Sequence, residues 1–264
     1  YWYYTRTVEG KQYPVYCRKK ETMESPEQIT LDLNELAATH KFLGLGAYEV
    51  SDDGNLLAYS LDTTGFRQYQ FGLKDLRTGN LIPDHIGQVN SIVWAADNKT
   101  MFYTKEDAAK RPYRLFRHAL GGSNDELLYE EKDELYQVAA DRSSDRKIIF
   151  FVTASSITGE THYLPSDQPA GSFKLFLGRE VGHEYSVDHR EGLFYIRTNK
   201  GAKNYRLVVA PDNAPRPQQW KEILPHRPNV KLERVLLFRN NAVYVEREKA
   251  LVRLVVHDFR TNAS

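Results

Sequence analysis

Short runs of apolar residues, or of apolar and polar residues in alternation, recur along the whole chain and are separated by clusters of Asp, Asn, Gly and Ser. Runs of this length bounded by turn residues predict β-strands joined by hairpins. Tyr48-Glu49-Val50-Ser51 alternates, Asp52-Asp53-Gly54-Asn55 turns, and Leu56 to Leu61 makes the next strand. A loop at Asp62-Thr63-Thr64-Gly65 leads to Tyr69-Gln70-Phe71-Gly72-Leu73, and the turn Arg77-Thr78-Gly79-Asn80 leads to a short outer strand at Leu81-Ile82. The same phrase returns at a fixed distance. Tyr59, Tyr103, Phe151, Tyr195 and Tyr244 each close an apolar run after a polar turn, at intervals of 44, 48, 44 and 49. A second landmark (Tyr69, Tyr113, Thr161, Tyr205, Leu254) follows ten residues after each. A strand-built period in the forties predicts an all-β fold, a β-propeller of four-stranded antiparallel blades.

The units fall at about 1–35, 48–83, 90–130, 135–178, 183–225 and 230–264, read as a single propeller domain spanning 1–264. Trp2-Tyr3-Tyr4-Thr5, Tyr13 to Tyr16 and Gln28 to Leu33 match the second, third and outer strands of a blade without its inner strand. Val235 to Phe238, Ala242 to Glu246 and Leu251 to Val256 supply three strands of a sixth. The expectation is five to six blades of a probable seven in an open or incomplete ring, a piece of a larger propeller, because a closed ring must pair or cover its terminal strands.

Charge narrows the partners. Thirty-six basic and thirty-five acidic side chains leave a net charge of +1, too little for a long-range field that recruits nucleic acid or an anionic membrane. No apolar stretch approaches the ~20 residues that span a bilayer. The opening Tyr1-Trp2-Tyr3-Tyr4-Thr5 reads as a strand and not as a secretory leader. The single cysteine, Cys17, allows no internal disulfide, suits a reducing compartment and reads as a small buried apolar side chain. The expected location is cytoplasmic.

Metal and acid–base chemistry find little footing in the spacing. The eight histidines form no His-x-His or His-Glu-x-x-His pair, His183 and His189 flank a strand too loosely to define a site, and solvated or capping roles are expected for the histidines. The carboxylate pairs Asp52-Asp53, Glu130-Glu131 and Asp133-Glu134 sit in turns and outer loops, where acids solvate backbone bends. No metal site and no cofactor are expected. Val50, Val93, Val138 and Val187 in the inner segments read as packing residues, which argues against a funnel lined by converging polar groups.

The run Tyr3-Tyr4-Thr5-Arg6-Thr7-Val8-Glu9-Gly10-Lys11-Gln12-Tyr13-Pro14-Val15-Tyr16-Cys17-Arg18 resembles the start of the propeller in the oligopeptidase B group of the prolyl oligopeptidase family of serine peptidases. The resemblance continues through Gly46 to Ser51, Leu57 to Gly65, Val93 to Asn98, Arg197 to Asn204 and Ile223 to Pro228. It implies a seven-bladed propeller that covers an α/β-hydrolase domain, admits short peptides with basic residues and excludes folded proteins. That catalytic domain is absent from these residues. Its nucleophile elbow needs Gly-x-Ser-x-Gly on a strand-to-helix turn. The nearest segment, Gly121-Gly122-Ser123-Asn124-Asp125, ends in Asp and reads as a hairpin loop.

The connections between second and third strands emerge, in an up-and-down blade, on the end of the ring that carries the inter-blade links. Here they are long and charged: Lys105 to Pro112, Asn199 to Asn204 and Glu246 to Lys249. Long loops on a rigid scaffold make contacts. Arg111 and Arg114 are therefore candidates for an inter-domain salt bridge or a channel lining, opposite the alternative of a solvated rim. The functional expectation is a non-catalytic gating propeller of a serine oligopeptidase; the alternative is a protein-interaction propeller with no enzymatic partner domain.

Overall fold

Where the first strand of a sheet turns into the second, three tandem turns are built alike. The computed structural model describes residues 1–263; Ser264, the last residue of the sixth expected unit, lies outside them. Strand β4 (Gly44–Val50) meets β5 (Leu56–Asp62) through Ser51 to Asn55, and Ser51 Oγ donates to Asp53 Oδ1 at 2.6 Å while accepting the Leu56 amide at 2.9 Å. Across the corresponding turn Ser143 Oγ donates to Asp145 Oδ1 at 2.8 Å and accepts the Ile148 amide at 2.9 Å. The middle copy replaces the serine by Ala95, and Asp97 takes the amides of Lys99 and Thr100 instead. All three close on a residue in the left-handed region: Gly54 at φ 74°, Asn98 at 57° and Arg146 at 63°. Gly and Asn adopt that conformation readily.

These turns organise six antiparallel sheets. The first contains β1 (Trp2–Arg6), β2 (Val15–Lys19) and β3 (Glu27–Asp32) and runs into a short helix, α1 (Leu33–Ala37), whose first turn Asp32 caps through the Asn34 amide. The second holds β4, β5 and β6 (Gln70–Asp75). The third holds β7 (Ile92–Trp94), β8 (Thr100–Glu106), β9 (Pro112–Ala119) and β10 (Glu126–Glu130). The fourth has β11 (Gln137–Arg142), β12 (Ile148–Ala154), β13 (Gly159–Pro165) and β14 (Lys174–Leu177). The fifth has β15 (Tyr185–Arg190), β16 (Leu193–Thr198), β17 (Arg206–Pro211) and β18 (Lys221–Leu224). The sixth has β19 (Val230–Leu237), β20 (Asn241–Glu248) and β21 (Leu251–Asp258). Tyr1–Glu130 forms one compact unit and Glu131 onward another. No helix among the described residues is long and apolar enough to cross a membrane.

The five aromatic landmarks take one structural position. Tyr59, Tyr103, Phe151, Tyr195 and Tyr244 lie on β5, β8, β12, β16 and β20, the second strands of their sheets, and none is more than 6% exposed. The second landmark is less uniform, since Thr161 and Tyr205 are buried whereas Leu254 is exposed. Between neighbouring sheets within each unit, hydrogen bonds join residues one repeat apart. In the first unit the Asp53 amide reaches Asn98 Oδ1 at 3.1 Å and Trp94 Nε1 donates to the Glu49 carbonyl at 2.9 Å, both 45 residues away. In the second, the Ser144 amide reaches Asp188 and Asp145 faces His189 Nδ1 at 2.8 Å, both 44 residues away. This is the bonding of consecutive blades.

Apolar side chains fill the space between these sheets. Leu56, Ala58 and Leu73 pack with Ile92, Trp94 and Met101 in the first unit, and Ile148 and Phe150 pack with Phe194, Ile196 and Val208 in the second. Cys17 is buried on β2. Gly72 on β6 lies opposite Tyr59, and a Cβ there would sit 2.5 Å from the tyrosine ring, so the ring needs a residue without a side chain beneath it. The expected outer strand at Leu81-Ile82 forms only a bridge from Leu81 to Lys74 and one amide bond from Ile82 to Leu73. Pro83 follows and brings no N–H to continue a ladder, while Gly87 and Val89 take over the Phe71 amide and the Tyr69 carbonyl.

The turn carboxylates make the fold acid-sensitive. Burial pushes Asp53, Asp97 and Asp145 up, but hydrogen bonds from turn hydroxyls and amides outweigh it and hold all three below the usual range. A carboxyl depressed by folding contributes stability above its unfolded value, about 3.9, and loses it as pH falls through the folded value. Asp145→Asn is expected to cost about 1 kcal/mol at neutral pH and to flatten the fall in melting temperature below about pH 4. Thermal melts of both proteins across that range check this; parallel curves refute it.

Candidate functional site

Period-two alternation decides what the first strands present. On β11, Val138 and Ala140 are buried while Gln137, Ala139 and Asp141 point the other way. Residues of β11, β15 and β19, with some from the second strands, border a cleft of about 440 Å³ in the second unit, lined by Asp141, Arg142, Asp188, Arg197, Glu233 and Arg234 among others. Polar groups from three first strands do converge, contrary to the expectation drawn from Val138 and Val187. Val138 is buried as a packing residue on one face of β11 while Asp141 stands on the other, and Val187 is only half-buried and itself borders the cleft.

Several charges in the cleft are held in place. Asp188 accepts the Ser144 amide at 2.8 Å and its hydroxyl at 2.5 Å. Although Asp141 keeps solvent exposure, desolvation by the surrounding cleft, helped by the nearby negative charge of Asp188, pushes its carboxyl up against the opposing pull of the Arg142 amide. The Arg197 guanidinium stacks 3.4 Å over the Tyr205 ring and donates to the Leu232 carbonyl at 2.7 Å, and burial lowers its pKa. Glu233 receives Arg247 at 2.6 Å.

Serine, aspartate and histidine meet at Ser143, Asp145 and His189, but in an order that does no acyl transfer. The aspartate stands between, accepting from the serine at 2.8 Å and facing the histidine at 2.8 Å. Nucleophilic serine needs the imidazole next to its hydroxyl and the carboxylate behind. His189 and His183 are both buried, His183 bonding Thr198 Oγ1 at 2.7 Å. Solvated or capping roles were expected for them, and the inward alternation of β15 places His189 in the interior instead.

The loop pair is ordered locally. Strands β8 and β9 extend to Glu106 and from Pro112, shortening the expected Lys105 to Pro112 loop, and the last connection shrinks to Lys249-Ala250. Arg111 bonds Asp107 through its Nε at 3.0 Å and its amide at 3.0 Å. Arg114 bonds Glu130 on β10 at 2.7 Å. The structure brings the two together around one ring, with Arg111 5.3 Å and Arg114 4.8 Å from the centre of Tyr113. The cleft residues escaped sequence reasoning because their one visible signal, a charged residue beside a buried valine on a first strand, is shared with ordinary solvated faces.

Residues 1–264 match the prolyl oligopeptidase N-terminal beta-propeller domain. The chain belongs to the prolyl oligopeptidase family. It is 37% identical over 276 residues to dipeptidyl aminopeptidase BI of Pseudoxanthomonas mexicana, covering 97% of the chain and 38% of that protein. It is 33% identical over 269 residues to Protease 2 of Moraxella lacunata, covering 98% and 39%. Among solved structures, oligopeptidase B from Leishmania major superposes with a TM-score of 0.89 at 27% identity, covering 99% of the chain and 38% of the other. The prolyl oligopeptidase family is one of serine peptidases, and the part matched here is its propeller, which carries no triad. The chain thus spans under two-fifths of the length of each of these proteins.

Proposed function

We propose that this propeller gates a serine oligopeptidase of the oligopeptidase B type, admitting short peptides that are cut after Arg or Lys. The observation that carries the reading is the likeness to oligopeptidase B over 99% of this chain and only 38% of the other. The remaining length is room for an α/β-hydrolase domain of the same parent protein, the partner in this reading. The cleft supports it: Asp141, Asp188 and Glu233 offer carboxylates to a basic peptide, and Arg142, Arg197 and Arg234 keep the lining from being purely acidic. Opposite charges a few ångströms apart in a partly desolvated groove attract more strongly than in bulk water. Chemistry belongs elsewhere in the parent. A serine attacks the peptide carbonyl, a histidine takes its proton and passes it to the leaving amine, and backbone amides hold the oxyanion. Rigid blades contribute exclusion of folded substrates.

Arg111 and Arg114 complete the proposal as inter-domain or channel contacts, prearranged by Asp107, Glu130 and the Tyr113 ring. The buried Cys17 suits the reducing cytoplasm in which we place the protein. The test assays residues 1–264 and the full-length product of the same gene on a peptide with an internal Arg or Lys. Cleavage is expected from the full-length protein alone, and cleavage by the propeller alone sinks the reading. In the full-length protein Arg111→Ala is expected to lower kcat/KM several-fold while costing the propeller only about 0.2–1 kcal/mol; unchanged kinetics removes Arg111 from the proposal.

A further inference from the structure

His118 lies far along the chain from the adjacent pair Asp84-His85, but the fold of the first unit places the ligand atoms of all three within 4.8 Å of one another. Asp84 and His85 lie on the segment between β6 and β7, and His118 on β9 is fully buried. Asp125, just before β10, faces both rings: its Oδ1 is 2.7 Å from His118 Nδ1 and 3.1 Å from His85 Nε2. A carboxylate only accepts, so those two nitrogens carry protons. The second nitrogens, His118 Nε2 and His85 Nδ1, lie on the other side of the rings, and Nε2 is within hydrogen-bond distance of the Asp84 carboxylate. Both face Asp84, at 3.0 Å from Oδ2 and 3.6 Å from Oδ1. The Asp84 Oδ1 also accepts the Ile86 amide at 3.0 Å.

In this structure a proton on His118 Nε2 joins the ring to the Asp84 carboxylate, and a divalent cation is the alternative positive charge for the same place, bound in exchange for that proton. We propose that Asp84, His85 and His118 form a binding site for a late first-row divalent cation, zinc above all. Imidazole with carboxylate is a zinc donor set, whereas magnesium and calcium prefer oxygen alone. Ligand atoms ~2.0–2.1 Å from a tetrahedral zinc stand about 3.3 Å apart, so the three ligand atoms, all within 4.8 Å of one another here, draw closer on binding. His85, 40% exposed, has room to close in and leaves the fourth position to water. Asp125 is the outer carboxylate that orients both rings, the companion that metal-bound histidines ordinarily have. It is fixed in turn by the Tyr103 hydroxyl, which donates to Oδ2 at 2.5 Å. Burial and this bond push the Tyr103 pKa far up, so the hydroxyl remains a donor. A bound cation would pin the segment carrying Asp84 to β9 and to the turn ahead of β10, reinforcing the junction of two blades.

The test uses the full-length protein, stripped with chelator and titrated with zinc chloride, and with cobalt chloride as a spectroscopic probe. Expected are a rise in melting temperature with zinc but not magnesium, and visible absorption bands of four-coordinate cobalt. His85→Ala, at an exposed ring, is expected to fold and to lose both signals. Asp125→Asn weakens zinc binding roughly tenfold to a hundredfold, and Asp84→Asn repeats the ligand test with a side chain of the same size. Equal zinc uptake and thermal shift in His85→Ala and Asp84→Asn, or the absence of a zinc-dependent shift in the parent protein, overturns the site and leaves a proton shared between His118 and Asp84.

Discussion

Trp94→Ala is expected to lower the stability of the first unit by about 3–5 kcal/mol, the range for removing a large aromatic from a packed core. Trp94 is 2% exposed on a three-residue strand and packs against Leu56, Ala58, Met101 and Tyr103. Its indole also donates to the Glu49 carbonyl on the neighbouring sheet. One side chain thus fills the gap between two sheets and bonds across it. Against a typical total stability of about 5–15 kcal/mol, the loss is enough to populate opened forms. Trp94→Phe keeps most of the packing and gives up the hydrogen bond, at a cost of roughly 1–2 kcal/mol. Amide hydrogen exchange along β5 and β8 measures both, and protection unchanged in Trp94→Ala would show that the two sheets do not depend on this contact.

Arg179→Ala should cost about 3 kcal/mol, near the lower end for breaking a buried ion pair. Glu131 lies at the start of the fourth sheet's segment and is only 4% exposed; Arg179 follows β14, 48 residues later. The guanidinium bonds the Glu131 carboxylate, donates to Thr153 Oγ1 at 2.9 Å and lies 3.8 Å over the Tyr136 ring. It therefore staples the beginning of one blade to its end. Removing the cation leaves the Glu131 carboxylate in a low-dielectric site without its guanidinium, while the Asp133 amide remains bonded to it. The side chain of Arg179 keeps 27% of its exposure, so water softens the loss. Arg179→Met combined with Glu131→Leu removes both charges and is expected to recover most of the stability. Urea titrations of the two single variants and the double variant supply the cycle, and a double variant as unstable as the sum of the singles contradicts this account.

The repeat and its local grammar are legible in the residues alone. The period of Tyr59, Tyr103, Phe151, Tyr195 and Tyr244 marks the second strand of five sheets, because strand alternation and turn chemistry are set by residues a few positions apart. The family likeness rested on the same local stretches, and so did the burial of Cys17. Tertiary structure alone decided which charged residues meet. Asp141, Asp188 and Glu233 stand on three separate strands, and Asp84, His118 and Asp125 reach one point from a connecting segment, a strand and a turn. Each is unremarkable in its own segment. Only the stacking of sheets, driven by burial of the apolar faces between them, fixes where the opposite faces and the connecting segments converge, and no pattern within one repeat records that distance.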